Sequence, residues 1–242
     1  MKILNNILNY KNLKIYQNTT MFSFSLDSVL LARFYKPKKK DINICDFGTN
    51  NAIIPLILSK YIDKNSMVYG VEIQKQACET ALENIELNNL TQNFKIINQD
   101  IKEFIKEKNN FFDVIYSNPP FFKNNKDSKH KLNDPDKTTA RHEVLITMEE
   151  IIISAKIGLK NGGRLVMIHL IERMDELIYK LWKNKFRIKK LQIVYSKLNQ
   201  DAKKILIEAV NDGNEGMKLL KPLIVHNHDG SYTKEIEEMF GD

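Results

Sequence analysis

From Ile42 onward, short apolar runs alternate with stretches whose apolar positions recur every three or four residues. Ile42–Phe47, Val68–Ile73, Phe94–Ile97 and Phe112–Ser117 read as buried strands bounded by turn formers. Between them, Asn51–Tyr61, Lys75–Asn88 and Ile101–Lys108 read as helices. In the second of these, Ala77, Ala81, Leu82 and Ile85 share a helical face. Pro55 falls early enough in the first for its opening turn to absorb it. Thr147–Leu159 reads as a helix stopped by Asn161-Gly162-Gly163. A fifth strand, Arg164–Ile168, and a helix, Glu172–Asn184, follow. Two last strands, Arg187–Tyr195 and Lys204–Val210, have no helix between them. Upstream, residues 1–24 alternate weakly, as a small hairpin or irregular arm would, and a helix begins near Leu26 with Ser25 or Asp27 as its cap. Phe121 to His142 is long and polar with no apolar period.

Strands separated by helices make βαβ units, hence an α/β fold with a doubly wound, mostly parallel sheet covered on both faces. The last two strands add an antiparallel strand at one edge. The division expected is an N-terminal basic arm and helix over residues 1–40, packed on a domain spanning 41–242 with a mobile loop near 121–143. In such sheets, ligands sit beyond the carboxyl ends of the strands.

Composition narrows the class. The 242 residues are 43% hydrophobic and 28% charged, which excludes wholesale disorder. No apolar run approaches the roughly 18–20 residues of a membrane span. The opening MKILNNILNY places Asn5, Asn6 and Asn9 where a secretory signal needs an apolar core, so a cytoplasmic protein is expected. Two cysteines, Cys45 and Cys78, make neither a disulfide framework nor a four-ligand zinc site, and no metal is expected. The net charge is +7, and residues 1–40 carry eight basic groups against Asp27 alone. Residues 179–204 carry nine against Asp201. Two positive segments would steer a polyanion such as RNA, although a solvated lysine-rich face explains the charge equally well. Lys38, Lys39, Lys40, Lys189 and Lys190 are the candidate phosphate contacts, with Arg141 beside them.

Polar groups close each of the first four strands: Asp46, Glu72, Asp100 and Asn118. The first loop, Asp46-Phe47-Gly48-Thr49-Asn50-Asn51-Ala52, has one glycine and an acid, which suits a cationic ligand tail better than a pyrophosphate. A carboxylate at the second strand end can accept both hydroxyls of a ribose. Asp100 is placed to accept from a purine amino group. Together they describe S-adenosylmethionine. Each acid alone is weak, because strand-end acids also cap the helices that follow.

Asn118-Pro119-Pro120-Phe121 is more specific. Two prolines after a strand fix the backbone and free its carbonyls. The Asn118 side-chain oxygen and the Pro119 carbonyl can accept the two hydrogens of one planar NH2 group, and Phe121 can stack on the ring that bears it. The order of DFGTNNA, VEIQ, NQDI and NPPF resembles the Rossmann-like methyltransferases that act on planar amino groups. Adding FSFSLDSVLLARF (Phe22–Phe34), ARHE (Ala140–Glu143) and PLIVHNHDGSYTKEIEEMFGD (Pro222–Asp242), nearly the whole chain resembles the bacterial tRNA1(Val) adenine-37 N6-methyltransferase family.

That resemblance implies a Rossmann-like sheet of seven strands, S-adenosylmethionine as methyl donor, and a tRNA anticodon stem-loop as partner. It places Asp46 and Gly48 by the methionine part, Glu72 on the ribose, Asp100 on the adenine and Asn118 to Phe121 on the target base. Phe24, Ser25 and Asp27 match an N-terminal element that packs on the cofactor, and Phe47, Thr49, Asn50, Ile73, Ile101 and Asn118 complete its surroundings. The family's first loop usually has two or three glycines, and this chain departs from that with Asn50 and Ala52. Asn tolerates positive φ, whereas Ala52 adds a methyl group where backbone would approach ligand. The alternatives are methylation of an rRNA amino group or a protein glutamine amide, and an RNA-binding relic that has lost catalysis.

Overall fold

The computed structural model describes residues 2–7, 10, 12–18, 26–119 and 146–241. The chain begins with a hairpin, β1 (Lys2–Asn6) and β2 (Lys14–Asn18), followed by helix α1 (Leu26–Phe34). Then come β3 (Asn43–Phe47), α2 (Ile53–Leu58), β4 (Met67–Glu72), α3 (Lys75–Leu87), β5 (Phe94–Asn98), the short α4 (Ile101–Phe104) and β6 (Phe112–Ser117). After the undescribed stretch follow α5 (Met148–Gly158), β7 (Leu159–Leu170), α6 (Met174–Lys183), β8 (Phe186–Lys197) and β9 (Ala202–Asn211). Two short strands, β10 (Lys218–Leu219) and β11 (Leu223–His226), and helix α7 (Lys234–Glu237) close the chain.

The central sheet runs β5-β4-β3-β6-β7-β9-β8, with β10 and β11 both paired to the outer side of β8. The strand order reverses between β3 and β6, which pair in parallel, and this is the topological switch point. Every pairing in this sheet is parallel except those of β9 with β7 and β8. The antiparallel strand therefore lies inside the sheet, between β7 and β8, and not at its edge. β8 returns to the parallel direction outside it, and the C-terminal strands use the N–H and C=O groups that β8 would otherwise expose.

The two sheet faces carry separate cores. Ile44, Val68, Val114, Tyr116 and Val166 face α1, α2, α3 and the C-terminal segment. Cys45, Phe47, Ile115, Leu165 and Met167 face α5 and α6 through Ile151, Ile152, Leu177 and Leu181. The alternation of strand side chains between the faces is what makes these runs read as continuously apolar. The helix after β6 opens with a capping box, in which Thr147 and Glu150 bond each other's backbone. It does not stop at Asn161-Gly162-Gly163: Leu159 already pairs with Phe112, and those three residues form an irregularity inside β7, with Gly162 at φ 76°. No helix among the described residues is long and apolar enough to cross a membrane.

The N-terminal hairpin docks on α3 through two asparagines one turn apart. Asn84 accepts from Tyr16 N (2.6 Å) and donates to Tyr16 O (3.1 Å), and Asn88 does the same with Lys14 N and Lys14 O. Side-chain amides thus replace a neighbouring strand along β2. Asn84 also donates to Asn51 O (2.9 Å), tying the hairpin to the loop after β3.

Candidate active site

The loop after β3 is drawn over β4 by two hydrogen bonds, from Gly48 N (2.9 Å) and Thr49 N (3.1 Å) to Val71 O. Gly48, Asn50 and Ala52 take φ of 74°, 50° and 65°, so every second residue is left-handed. Glycine adopts this freely and asparagine with little resistance, but an alanine there costs roughly 1–2 kcal/mol. The Ala52 methyl group points into the core beneath α2. The departure from a glycine-rich loop is therefore absorbed as backbone strain. Gly70 gives Thr49 its space, because a Cβ there would stand 2.9 Å from Thr49 Oγ1 and Cγ2.

The four strand ends have separate fates. Asp46 is 1% exposed, and neither carboxylate oxygen has a hydrogen-bond partner among the described residues. It caps no helix, since α2 is preceded by Ala52. Burial pushes its pKa from 3.8 up to about 7 and the nearby Glu72 adds to the rise, while the Thr49 hydroxyl acts the other way from outside normal hydrogen-bond geometry. Glu72 braces the loops: Oε2 accepts from Asn50 N (2.9 Å) and Oε1 from Gln74 N (2.9 Å). Burial raises its pKa, and the N–H groups of Gln74, Asn50 and Ile73 oppose that rise. Asn98, missed in the sequence, steadies the same corner by donating to Glu72 O and Ile73 O. Asp100 caps α4 through Lys102 N (2.7 Å) and lies 3.8 Å from the Lys102 ammonium. The helix-cap reading of a strand-end acid holds for Asp100, although its second oxygen keeps acceptor capacity.

At the end of β6, Asn118 Nδ2 donates to Ser28 Oγ on α1 (3.0 Å), and Pro119 is buried behind it. Asp27, next to Ser28, forms an ion pair with Lys204 on β9. Pro120, Phe121, Arg141, Phe24, Ser25 and the loop near 121–143 lie outside the described residues.

Among the described residues, the buried side-chain N and O atoms without a partner are Asp46 Oδ1 and Oδ2, Thr49 Oγ1, Asn51 Oδ1 and Ser117 Oγ. All of them sit at the carboxyl ends of β3 and β6, the two sides of the switch point. A folded chain pairs its buried polar groups, and a concentrated exception marks a place where a ligand supplies the partners. The set is rich in acceptors and includes a carboxylate, so it suits a ligand with N–H and O–H donors and positive charge. Asn51 lies in the DFGTNNA loop but drew no role of its own from the sequence, and Ser117 lies in no motif; their unpaired burial reveals them.

A methyltransferase domain model matches residues 38–221. The tRNA1(Val) (adenine(37)-N6)-methyltransferase of Porphyromonas gingivalis is 30% identical over 241 residues, covering 95% of this chain and 91% of its own. The chain belongs to the tRNA1(Val) (adenine(37)-N6)-methyltransferase family. The protein of that name from Flavobacterium psychrophilum is 25% identical over 232 residues, 95% of each chain. Among solved structures, a predicted O-methyltransferase, Atu636 from Agrobacterium tumefaciens, aligns at TM-score 0.68 and 17% identity, over 88% of this chain and 95% of its own. That likeness concerns the fold.

In this methyltransferase the basic candidates are dispersed. Lys38, Lys39 and Lys40 are exposed, but they precede β3 and so stand at the opposite end of the sheet from Asn118, a strand length of roughly 16 Å away. Lys189 donates to the carbonyls of Asn214, Glu215 (3.0 Å) and Gly216, closing the loop after β9. Lys190 pairs with the buried Glu208 at 2.7 Å, which Arg164 also holds at 2.9 Å. Charge grouped these lysines in the sequence, whereas the topology places Lys38–Lys40 at the far end of the sheet and Lys190 three strands from β6, level with Tyr116. Lys203, in the same basic segment, is exposed where β9 begins, at the catalytic end.

Proposed function

We propose that this chain transfers the methyl group of S-adenosylmethionine to the exocyclic N6 of adenosine 37 in a valine tRNA. The observation that carries the reading is the cluster of buried acceptors unpaired among the described residues at the switch point, beside Asn118 and Pro119 at the adjoining strand end. The residues fit the donor. Asp46 and the hydroxyl of Thr49 provide acceptors for its ammonium end. Glu72, steadied by Asn50 N and Gln74 N, keeps free lone pairs for a ribose. Asp100 has an oxygen beyond its cap bond for the adenine amino group.

S-adenosylmethionine, when bound, supplies a methyl group already activated by its sulfonium. The work left to the protein is placement and charge. Asn118 Oδ1 and the Pro119 carbonyl accept the two hydrogens of the target amine, which holds the nitrogen lone pair out of plane. Positioning of this kind offsets roughly 7–11 kcal/mol of barrier. An adenosine in a loop leaves its stack more cheaply than one in a duplex. Lys203, two strand positions from β6 and about 10 Å to the side, is the proposed phosphate contact at the catalytic rim.

Transfer of labelled methyl to an unmodified tRNA1(Val) transcript tests the reading, with adenosine 37 replaced by guanosine as the control. Label that depends on adenosine 37 supports it. Label retained in the control, or none with cofactor still bound, refutes it in favour of another nucleotide or a protein amide.

A further inference from the structure

Asn118 is useful only in one orientation. Its carboxamide has an accepting end and a donating end, and the target amine brings two donors. If the amide turned over, N–H would face N–H and the site would repel its substrate. The sequence at Asn118 to Phe121 fixes the backbone but contains nothing that orients this amide.

The structure supplies an anchor for it from 90 residues away. Asn118 Nδ2 donates to Ser28 Oγ at 3.0 Å, and Ser28 is 7% exposed on the buried side of α1. No hydrogen bond to Asn118 Oδ1 is found among the described residues, so the accepting end is free for a ligand. The helix that carries Ser28 is fastened along its length. Asp27 is ion-paired with Lys204 of β9 at its start. At its end the Arg33 guanidinium donates to Tyr10 Oη (3.1 Å), Glu238 O (3.0 Å) and Gly241 O (2.8 Å). The strand that carries Asn118 is bound to the same segment a second time, through Tyr116 Oη donating to Tyr35 O at 2.6 Å. The segment from α1 to Tyr35 and the strand leading to Asn118 therefore meet at two points.

We infer that Ser28 is a positioning residue for amine methylation: with the Asn118 amide N–H on its hydroxyl, it anchors the carboxamide in the arrangement that leaves Oδ1 for the target amino group. This rests on the function proposed above. The hydroxyl touches no reacting atom, and its effect passes entirely through Asn118.

The test is steady-state methylation of the tRNA1(Val) transcript by wild type, Ser28→Ala and Ser28→Thr, with cofactor affinity by calorimetry and Tm measured on each protein. Ser28→Ala is expected to lower kcat about tenfold, the effect of one lost hydrogen bond on transition-state geometry. The KM for tRNA, the cofactor Kd and the Tm stay near wild type, and Ser28→Thr, which keeps the hydroxyl, restores most of kcat. A Ser28→Ala enzyme within about twofold of wild-type kcat overturns the inference. So does a loss of kcat matched by losses in cofactor affinity or Tm, since that is a structural role, and so does a Thr variant as slow as Ala. Failure of the function itself would look different, because wild type would then place no label on adenosine 37.

Discussion

Two buried aspartates, one at each end of the parallel strands, are treated in opposite ways. At the amino end, Asp41 is 2% exposed, and its Oδ2 accepts from Tyr35 Oη (2.7 Å) and Lys38 N (2.8 Å). Asp113 takes Ile42 N and Asn43 N on Oδ2 and the Lys160 ammonium on Oδ1 at 2.7 Å. Ser66 and Asn93 complete a hydrogen-bonded floor there. At the carboxyl end, Asp46 is buried as deeply and bonded to nothing among the described residues. The same sheet and the same residue type give a satisfied floor at one end and an unpaired acceptor at the other. Satisfied buried groups hold a fold together, and unsatisfied ones are tolerated where a ligand completes them.

Four substitutions probe this contrast, in falling order of effect. Asn118→Ala should lower turnover by about 10²–10³-fold, the scale for removing one transition-state hydrogen-bonding group. Calorimetry should find its cofactor affinity unchanged; a parallel loss would place Asn118 on the cofactor instead. Asp113→Ala should destabilise by about 2–3 kcal/mol in urea unfolding, because it strands two backbone N–H groups and a lysine. Its turnover per folded molecule should match wild type, as befits the floor.

Asp46→Asn should do the reverse. The folded carboxyl titrates near 7 against 3.8 for an ordinary aspartate, so the native state holds this proton more tightly than the unfolded chain. Stability from this group is present at low pH and is lost as pH rises from about 4 to about 7. Without ligand, the Asn variant should therefore melt several degrees higher than wild type at pH 8, and that advantage should shrink as pH falls and vanish near pH 4. Cofactor binding should run the other way. A cationic ligand needs the ionised carboxylate, so wild-type affinity should fall as pH drops below about 7, and the Asn variant should bind weakly at every pH. Equal pH profiles for the two proteins would remove Asp46 from the site.

Ala52→Gly should give the smallest shift, a gain of about 1 kcal/mol from relieving a left-handed alanine, read as a higher urea midpoint. The lysines sharpen the comparison at the level of RNA. Lys203→Gln, at the catalytic end, should reduce the salt slope of tRNA binding by about 1, whereas Lys38, Lys39 and Lys40 changed together to Gln, at the far end, should leave it unchanged. A slope that falls with the triple variant would mean that the RNA reaches around to the floor.

Much of the molecule was legible in advance. The strands from Ile44 to Ser117 and the helices between them follow from local periodicity, and the strand-end positions of Asp46, Glu72, Asp100 and Asn118 follow from the strands. Boundaries moved where long-range pairing overrode local signals. Leu159, the expected end of a helix, opens β7 because it pairs with Phe112, so the helix stops at Gly158 before the glycine pair is reached. The position of β9 between β7 and β8 was hidden for the same reason, since no local pattern records which neighbour a strand will choose.

By itself the sequence determined the alternation of elements, the chemistry available at each strand end and the resemblance to a methyltransferase family. Periodicity, turn residues and motifs act over a few neighbouring residues, and a linear reading captures them. The tertiary structure decided what each polar group is for. It made Asp100 a cap, Glu72 a brace and Asp46 an unpaired acceptor; it brought Ser28 to Asn118 and carried Lys38–Lys40 away from both. Those outcomes depend on burial and on hydrogen bonds between residues tens of positions apart, which exist only once the sheet has set its strand order.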